Sequence, residues 1–134
     1  DTSVNAYKPD LLVLAFGMND GSNIPANGVE KFIKNTKTMV DRVLAANPDC
    51  EIVLIATMLP HSETTYYKDQ YLHEAELYKL AESYNNVDVI PMTSVHSSVL
   101  KYKRYFDMTG NNVNHANDFL VRLYAQTVLR TLLG

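Results

Sequence analysis

One cysteine, Cys50, stands in 134 residues, so no internal disulfide can form. That fits a secreted or a cytoplasmic protein equally. A lone thiol cannot build a thiolate cage, and no two histidines are spaced i, i+4, so the pattern implies no metal site. Glycine-rich phosphate cradles are missing: neither G-x-G-x-x-G nor a P-loop occurs, and no nucleotide cofactor is implied. Positive charge is scarce relative to negative. The net charge of −3 offers no bulk attraction for nucleic acid or an anionic membrane. No apolar run is long enough to span a bilayer, and the opening DTSVNAYKPD has no signal-peptide pattern. Repeats and low-complexity tracts are absent too.

What is present suits one domain over 1–134 with a real hydrophobic core, since 46% of residues are hydrophobic and 20% charged. Leu11 to Phe16 (LLVLAF) is a continuous apolar run, as expected of a strand buried on both faces. Phe32, Thr36, Met39, Val40 and Val43 fall on one helical face, which Asn47-Pro48-Asp49 ends. Glu51 to Met58 (EIVLIATM) reads as a second buried strand, closed by Pro60. Leu77, Leu80, Ala81 and Tyr84 mark a second helix, and Val87 to Met92 a third, shorter strand. A short helix is expected within Ser94 to Tyr105. The last helix is expected from about Asn117 to Leu133, with Leu120, Leu123, Tyr124, Thr127 and Val128 facing inward. Alternation of strand and helix argues an α/β domain with a parallel sheet. Ligands in such sheets bind beyond the carboxyl ends of the strands.

Two stretches at that edge carry candidate chemistry. Gly17-Met18-Asn19-Asp20-Gly21 follows the first strand. Its glycine permits a tight turn or a ligand's close approach, and the Asn19 amide can donate to a developing oxyanion. The same residues also make an ordinary strand-to-helix turn. The second stretch is NNVNHANDF, from Asn111 to Phe119. One asparagine suffices to cap a helix, yet this run holds four and an imidazole. His115 is either a structural histidine or a general base whose ring Asn112 orients through its side-chain oxygen. His61, after Pro60, reads as a solvated loop residue or as part of a pocket with Met58, Tyr66 and Tyr67. His73 and His96 read as structural. Tyr66, Tyr67 and Tyr71 cluster after the second strand, placed either to stack on a sugar ring or to pack on a helix.

The blocks YKPDLLVLAFGMND and DMTGNNVNHANDFLVRLYAQ resemble the third and fifth conserved blocks of the SGNH (GDSL-type) hydrolases. The resemblance runs along nearly the whole chain in order and spacing. It implies a flavodoxin-like three-layer α/β/α fold and a serine esterase that needs no cofactor. Its substrate would be a small acyl ester, with an acetylated carbohydrate as one candidate. Carried over, Asn19 matches the oxyanion-hole donor, His115 the general base and Asp20 the aspartate beside that asparagine, a turn former; Gly17 and His61 are placed beside the substrate by their loop positions rather than by the resemblance.

This sequence departs from the family in three places. No G-D-S motif is present, and Ser3, Ser22, Ser62, Ser83, Ser94, Ser97 and Ser98 lie outside any such context. Asn112 stands where the family has aspartate, and Ala116 where proline commonly follows the histidine. The first departure, with a start that is not Met, suggests the C-terminal part of a domain whose N-terminal strands and nucleophile lie elsewhere. Leu11 to Phe16 would then be an exposed edge, paired by that N-terminal segment or by a second chain. Two other readings stand beside this one. A non-catalytic binding module could share the fold. A receiver-like signalling domain fits KPDLLVL, but Ala15 falls where its phosphoacceptor would be.

Overall fold

The computed structural model describes residues 4–23 and 28–134, with side chains left aside at 21–23. Strands β1 (Leu11–Ala15), β2 (Glu51–Ile55) and β3 (Val87–Ile90) pair in parallel in the order β1-β2-β3. Leu11 to Ala15 lie beside Glu51 to Ile55, and Ile52 to Ile55 beside Val87 to Ile90. The helices are α1 (Met18–Asn23), α2 (Gly28–Ala46), α3 (Gln70–Ala81), α4 (Met92–Val99) and α5 (Asp118–Leu133).

Because neighbouring residues of a strand face opposite ways, β2 feeds two cores. Ile52 and Leu54 pack with Phe32, Val40 and Val43 of α2 and Leu77 and Leu80 of α3. Val53 and Ile55 pack on the other side with Met92, Tyr105, Met108 and Leu120. Helices thus cover both faces of the sheet: the alternating pattern foretold the parallel α/β sheet, and the family resemblance the three-layer α/β/α arrangement. The helical periodicities hold as well. Phe32, Thr36, Val40 and Val43 are buried on α2, with Met39 half-buried, and Leu120 is buried on α5.

Some expectations need correction. The strands are shorter than their apolar runs: β2 stops at Ile55, and Ala56 to Pro60 continue as a buried loop. Ala56 still donates to Ile90 O at 3.0 Å, and beyond it the stretch is buried without ladder pairing. β1 is not buried on both faces. As an edge strand it alternates, with Leu12 and Leu14 half-buried and Leu11 and Val13 exposed at 41% and 44%. Val13 shares a face with its partner Val53, but there α5 packs over β3 and leaves the β1 side open.

Asn117 is the N-cap of α5, not its first residue. Its Oδ1 accepts from the N–H groups of Phe119 and Leu120 at 3.0 and 3.3 Å. Its Nδ2 donates to Asp107 O at 3.0 Å, tying the cap to the preceding turn. Replacing Asn117 with alanine removes both interactions. A loss of about 1–2 kcal/mol is expected, read as a lower urea midpoint with unchanged slope.

Candidate active site

At the end of β1 the chain must turn sharply to start α1 one residue after Gly17. That turn needs φ +114° at Gly17, a backbone state that side chains rarely adopt. Space makes the same demand: a Cβ on Gly17 would sit 3.0 Å from His73 Nδ1 and 3.3 Å from the Phe32 ring. His73 is fully buried beneath the turn and stacks on Phe32 at 4.3 Å. Neither of its ring nitrogens has a hydrogen-bond partner among the described residues. Burial lowers its pKa, while the charges of Asp20 and Asp69 act in the opposite sense. Gln70 fastens α1 from the other side. Its Nε2 donates to Met18 O at 3.1 Å and to Tyr66 O at 2.7 Å.

The turn opens a cleft of 270 Å³ beyond the carboxyl ends of β1 and β2. Gly17, Asn19 and Asp20 line it, with Thr57 and Met58 from the loop after β2, and Asn114 and Tyr124. Asn19 is exposed in the first turn of α1. GMND is therefore a turn running straight into a helix, with Asp20 near that helix's positive end.

The asparagine-rich loop is built from its own side chains. Asn111 Oδ1 accepts from the N–H groups of Val113, Asn114 and His115, each at 3.0 Å. Asn111 Nδ2 donates to Asn114 Oδ1 at 3.1 Å. Asn112 takes a left-handed φ of +55°, which asparagine tolerates better than most residues. A bridge between Thr109 and Ala116 closes the loop. Three of the four asparagines thus have a local task in turn or cap, and Asn114 also faces the cleft.

His115 is exposed, one residue beyond Asn114. The structure does not join it to Asn112, whose Oδ1 is buried and has no hydrogen-bond partner among the described residues. The nearby carboxylates are engaged elsewhere. Asp107 forms a two-point pair with Arg104 (2.9 and 3.1 Å), which keeps its pKa below the usual carboxylate range, and Asp118 lies 3.6 Å from Arg122.

His61 is neither solvated nor in the cleft lining. It is half-buried and stacks on Tyr105 at 4.8 Å, with planes 9° apart. Its Nδ1 lies 3.1 Å from Asn112 O; a carbonyl can only accept, so Nδ1 carries the proton. The His61 N–H and Tyr105 Oη both donate to Val113 O at 2.9 Å. The His61–Tyr105 pair therefore holds the 111–115 loop against the loop after β2. Sequence reasoning missed Tyr105 and Gln70. Neither belongs to a motif, and both act on backbone groups that only the fold brings near.

His96 is fully buried, and its Nδ1 accepts from Leu59 N–H at 3.1 Å. Burial pushes its pKa down to about 4. Tyr105 and Tyr124 are pushed up to about 12 by burial and stay protonated at neutral pH. Among the described residues no group of His, Cys, Asp and Glu is arranged to hold a metal, and no helix is long and apolar enough to cross a membrane.

A sequence profile of the GDSL-like lipase/acylhydrolase family matches residues 2–119, and the chain belongs to that family. No curated protein matches it. Two solved structures share the fold. One, from Parabacteroides merdae ATCC 43184, is named for its likeness to GDSL lipases. It superposes with a TM-score of 0.77 at 20% identity, over 92% of this chain and 60% of its own. A lipase/acylhydrolase from Enterococcus faecalis gives 0.69 at 23% identity, over 96% of this chain and 64% of its own. The chain thus spans less than two thirds of either protein's length.

Two measurements check this architecture. Gly17→Ala combines an unfavourable φ with a clash against His73, so a loss of at least about 2 kcal/mol is expected by urea denaturation. His96 has its pKa depressed on folding from an ordinary 6.5 to about 4. Its contribution is therefore intact above pH 6.5 and is lost as the pH falls toward 4, by up to about 3 kcal/mol. Urea midpoints across that window, with NMR titration of the His96 ring, test this.

Proposed function

We propose that this chain forms the His- and Asn-bearing part of a serine ester hydrolase. The supporting observation is the cleft beyond β1 and β2, which Asn19 and Asn114, the neighbour of His115, line together. Family membership supplies the reaction class. The nucleophile is a serine on a segment outside these residues, from the same protein or a second chain. That segment lies along the open edge of β1, covering Leu11, Val13 and Phe16, the last exposed at 54%.

The serine hydroxyl attacks the ester carbonyl carbon and its proton passes to His115. Negative charge on the carbonyl oxygen is met by the Asn19 amide. Collapse of the tetrahedral species breaks the bond to the alcohol oxygen, which takes the proton from His115. Water repeats the sequence to free the acid and the serine. Asn112 Oδ1, the buried acceptor without a partner, receives the ring N–H when His115 turns into the cleft. An asparagine there orients the ring without adding charge, so the imidazolium is stabilised less than beside a carboxylate. Gly17 lets the substrate approach the turn closely, and His61 holds the loop that carries His115. The substrate is a small acyl ester, with an acetylated carbohydrate favoured.

Fluorophosphonate labelling with peptide mapping tests the reading. This chain alone is expected to stay unlabelled, and a longer form carrying the upstream segment to be labelled on one serine there. In that form, Asn19→Ala is expected to cut kcat about 10²–10³-fold and His115→Ala at least as much. No label in the longer form would favour a binding module of the same fold instead.

A further inference from the structure

A second concavity, of 560 Å³, lies between α3 and α4 and belongs to no step above. Its volume is in the range of small-molecule sites. Helical spacing explains its two walls. Tyr71, Ala75 and Tyr78 recur along one face of α3, with Tyr67 just before the helix. Ala75 is small and leaves a trough between two phenol rings. Tyr67 and Tyr71 lie parallel, their planes 9° apart and centroids at 6.3 Å. The facing helix contributes hydroxyls: Ser94, Ser97 and Ser98 sit on one face of α4.

Between the walls lies the Glu74 carboxylate, 8% exposed. It accepts from Ser94 N–H at 3.0 Å and from the Ser94 hydroxyl, so its position is set by α4. No lysine or arginine lines the groove. A buried carboxylate with no cation beside it disfavours an anionic ligand. The three tyrosines are 36–52% exposed, large apolar faces turned to solvent and tipped with hydroxyls. Electron-rich ring faces, hydroxyls and a fixed acceptor together suit a flat ring with C–H bonds on its faces and hydroxyls at its rim.

We infer that the α3–α4 groove binds the pyranose rings of a neutral carbohydrate. Met58 lines the cleft and Leu59, the next residue, lines the groove, so the two concavities meet the same loop after β2. In naming the alcohol side of the ester this inference rests on the hydrolase reading. Binding is measured without turnover, however, so the two fail separately.

The experiment is an NMR titration of this chain, ring-labelled at tyrosine, with xylotetraose, cellotetraose and tetragalacturonate. Saturable shifts of the Tyr67, Tyr71 and Tyr78 resonances are expected with at least one neutral sugar, and weaker binding of the anionic one. Tyr71→Ala is expected to weaken binding about tenfold or more, whereas Tyr71→Phe, which keeps the stacking face, stays within about threefold. Tyr71 is half exposed, so both variants are expected to fold, and circular dichroism checks this. Absence of saturable shifts with either neutral sugar overturns the inference. So does unchanged affinity in Tyr71→Ala, or tighter binding of tetragalacturonate.

Discussion

The stacked His61–Tyr105 pair is the contact on which the candidate site depends. Loops have few backbone partners of their own, and the 111–115 loop is otherwise held by its internal asparagine bonds and by the Thr109–Ala116 bridge at its base. Two buried or half-buried rings reach its carbonyls at Asn112 and Val113 and fix it beside Met58. Tyr105 also lies 3.2 Å from Leu59 O, so its single proton is shared between two loops. Burial keeps that phenol protonated, which preserves it as a donor at any physiological pH. His96 completes the arrangement by accepting from Leu59 N–H.

The opposite wall is held by a different device. Gly17 turns β1 into α1 over a histidine with no hydrogen-bond partner, and Gln70 secures the first carbonyl of that helix. An unpaired buried imidazole costs stability, yet its flat ring fills the space under a turn that a longer side chain would disrupt. Both walls thus converge at the carboxyl edge of a parallel sheet, where two strands stop and their loops diverge. The resulting cleft is lined by the amides of Asn19 and Asn114 and, among the described residues, by no serine. Beside this cleft the face of β1 with Leu11 and Val13 is exposed.

Much of the fold was legible in the residues. The apolar runs located three strands, and the spacing of Phe32, Thr36, Val40 and Val43 located α2 with its buried face. Strand ends were not legible, because Ala56 to Pro60 are as buried as β2 itself. Apolarity reports burial, whereas pairing depends on where β3 stops. The candidate site was legible only in part. Asn19 is identifiable because glycine and amide follow a strand directly. Tyr105 was hidden, since its partners are carbonyls that carry no sequence identity. The place of Asn112 was not legible either: in its left-handed turn its carbonyl meets His61 Nδ1 and its side-chain oxygen is buried.

The sequence by itself determined the α/β class and the family, and it singled out the carboxyl edge of the sheet for the candidate site. Each follows from local pattern: apolar period, turn residues, and two blocks in order. Tertiary structure alone decided that Ala56 to Pro60 form a buried loop, that His61 is a clamp and that α3 and α4 enclose a tyrosine-walled groove. These depend on which surfaces meet across the fold, and contacts between residues distant in the chain leave no period in the sequence.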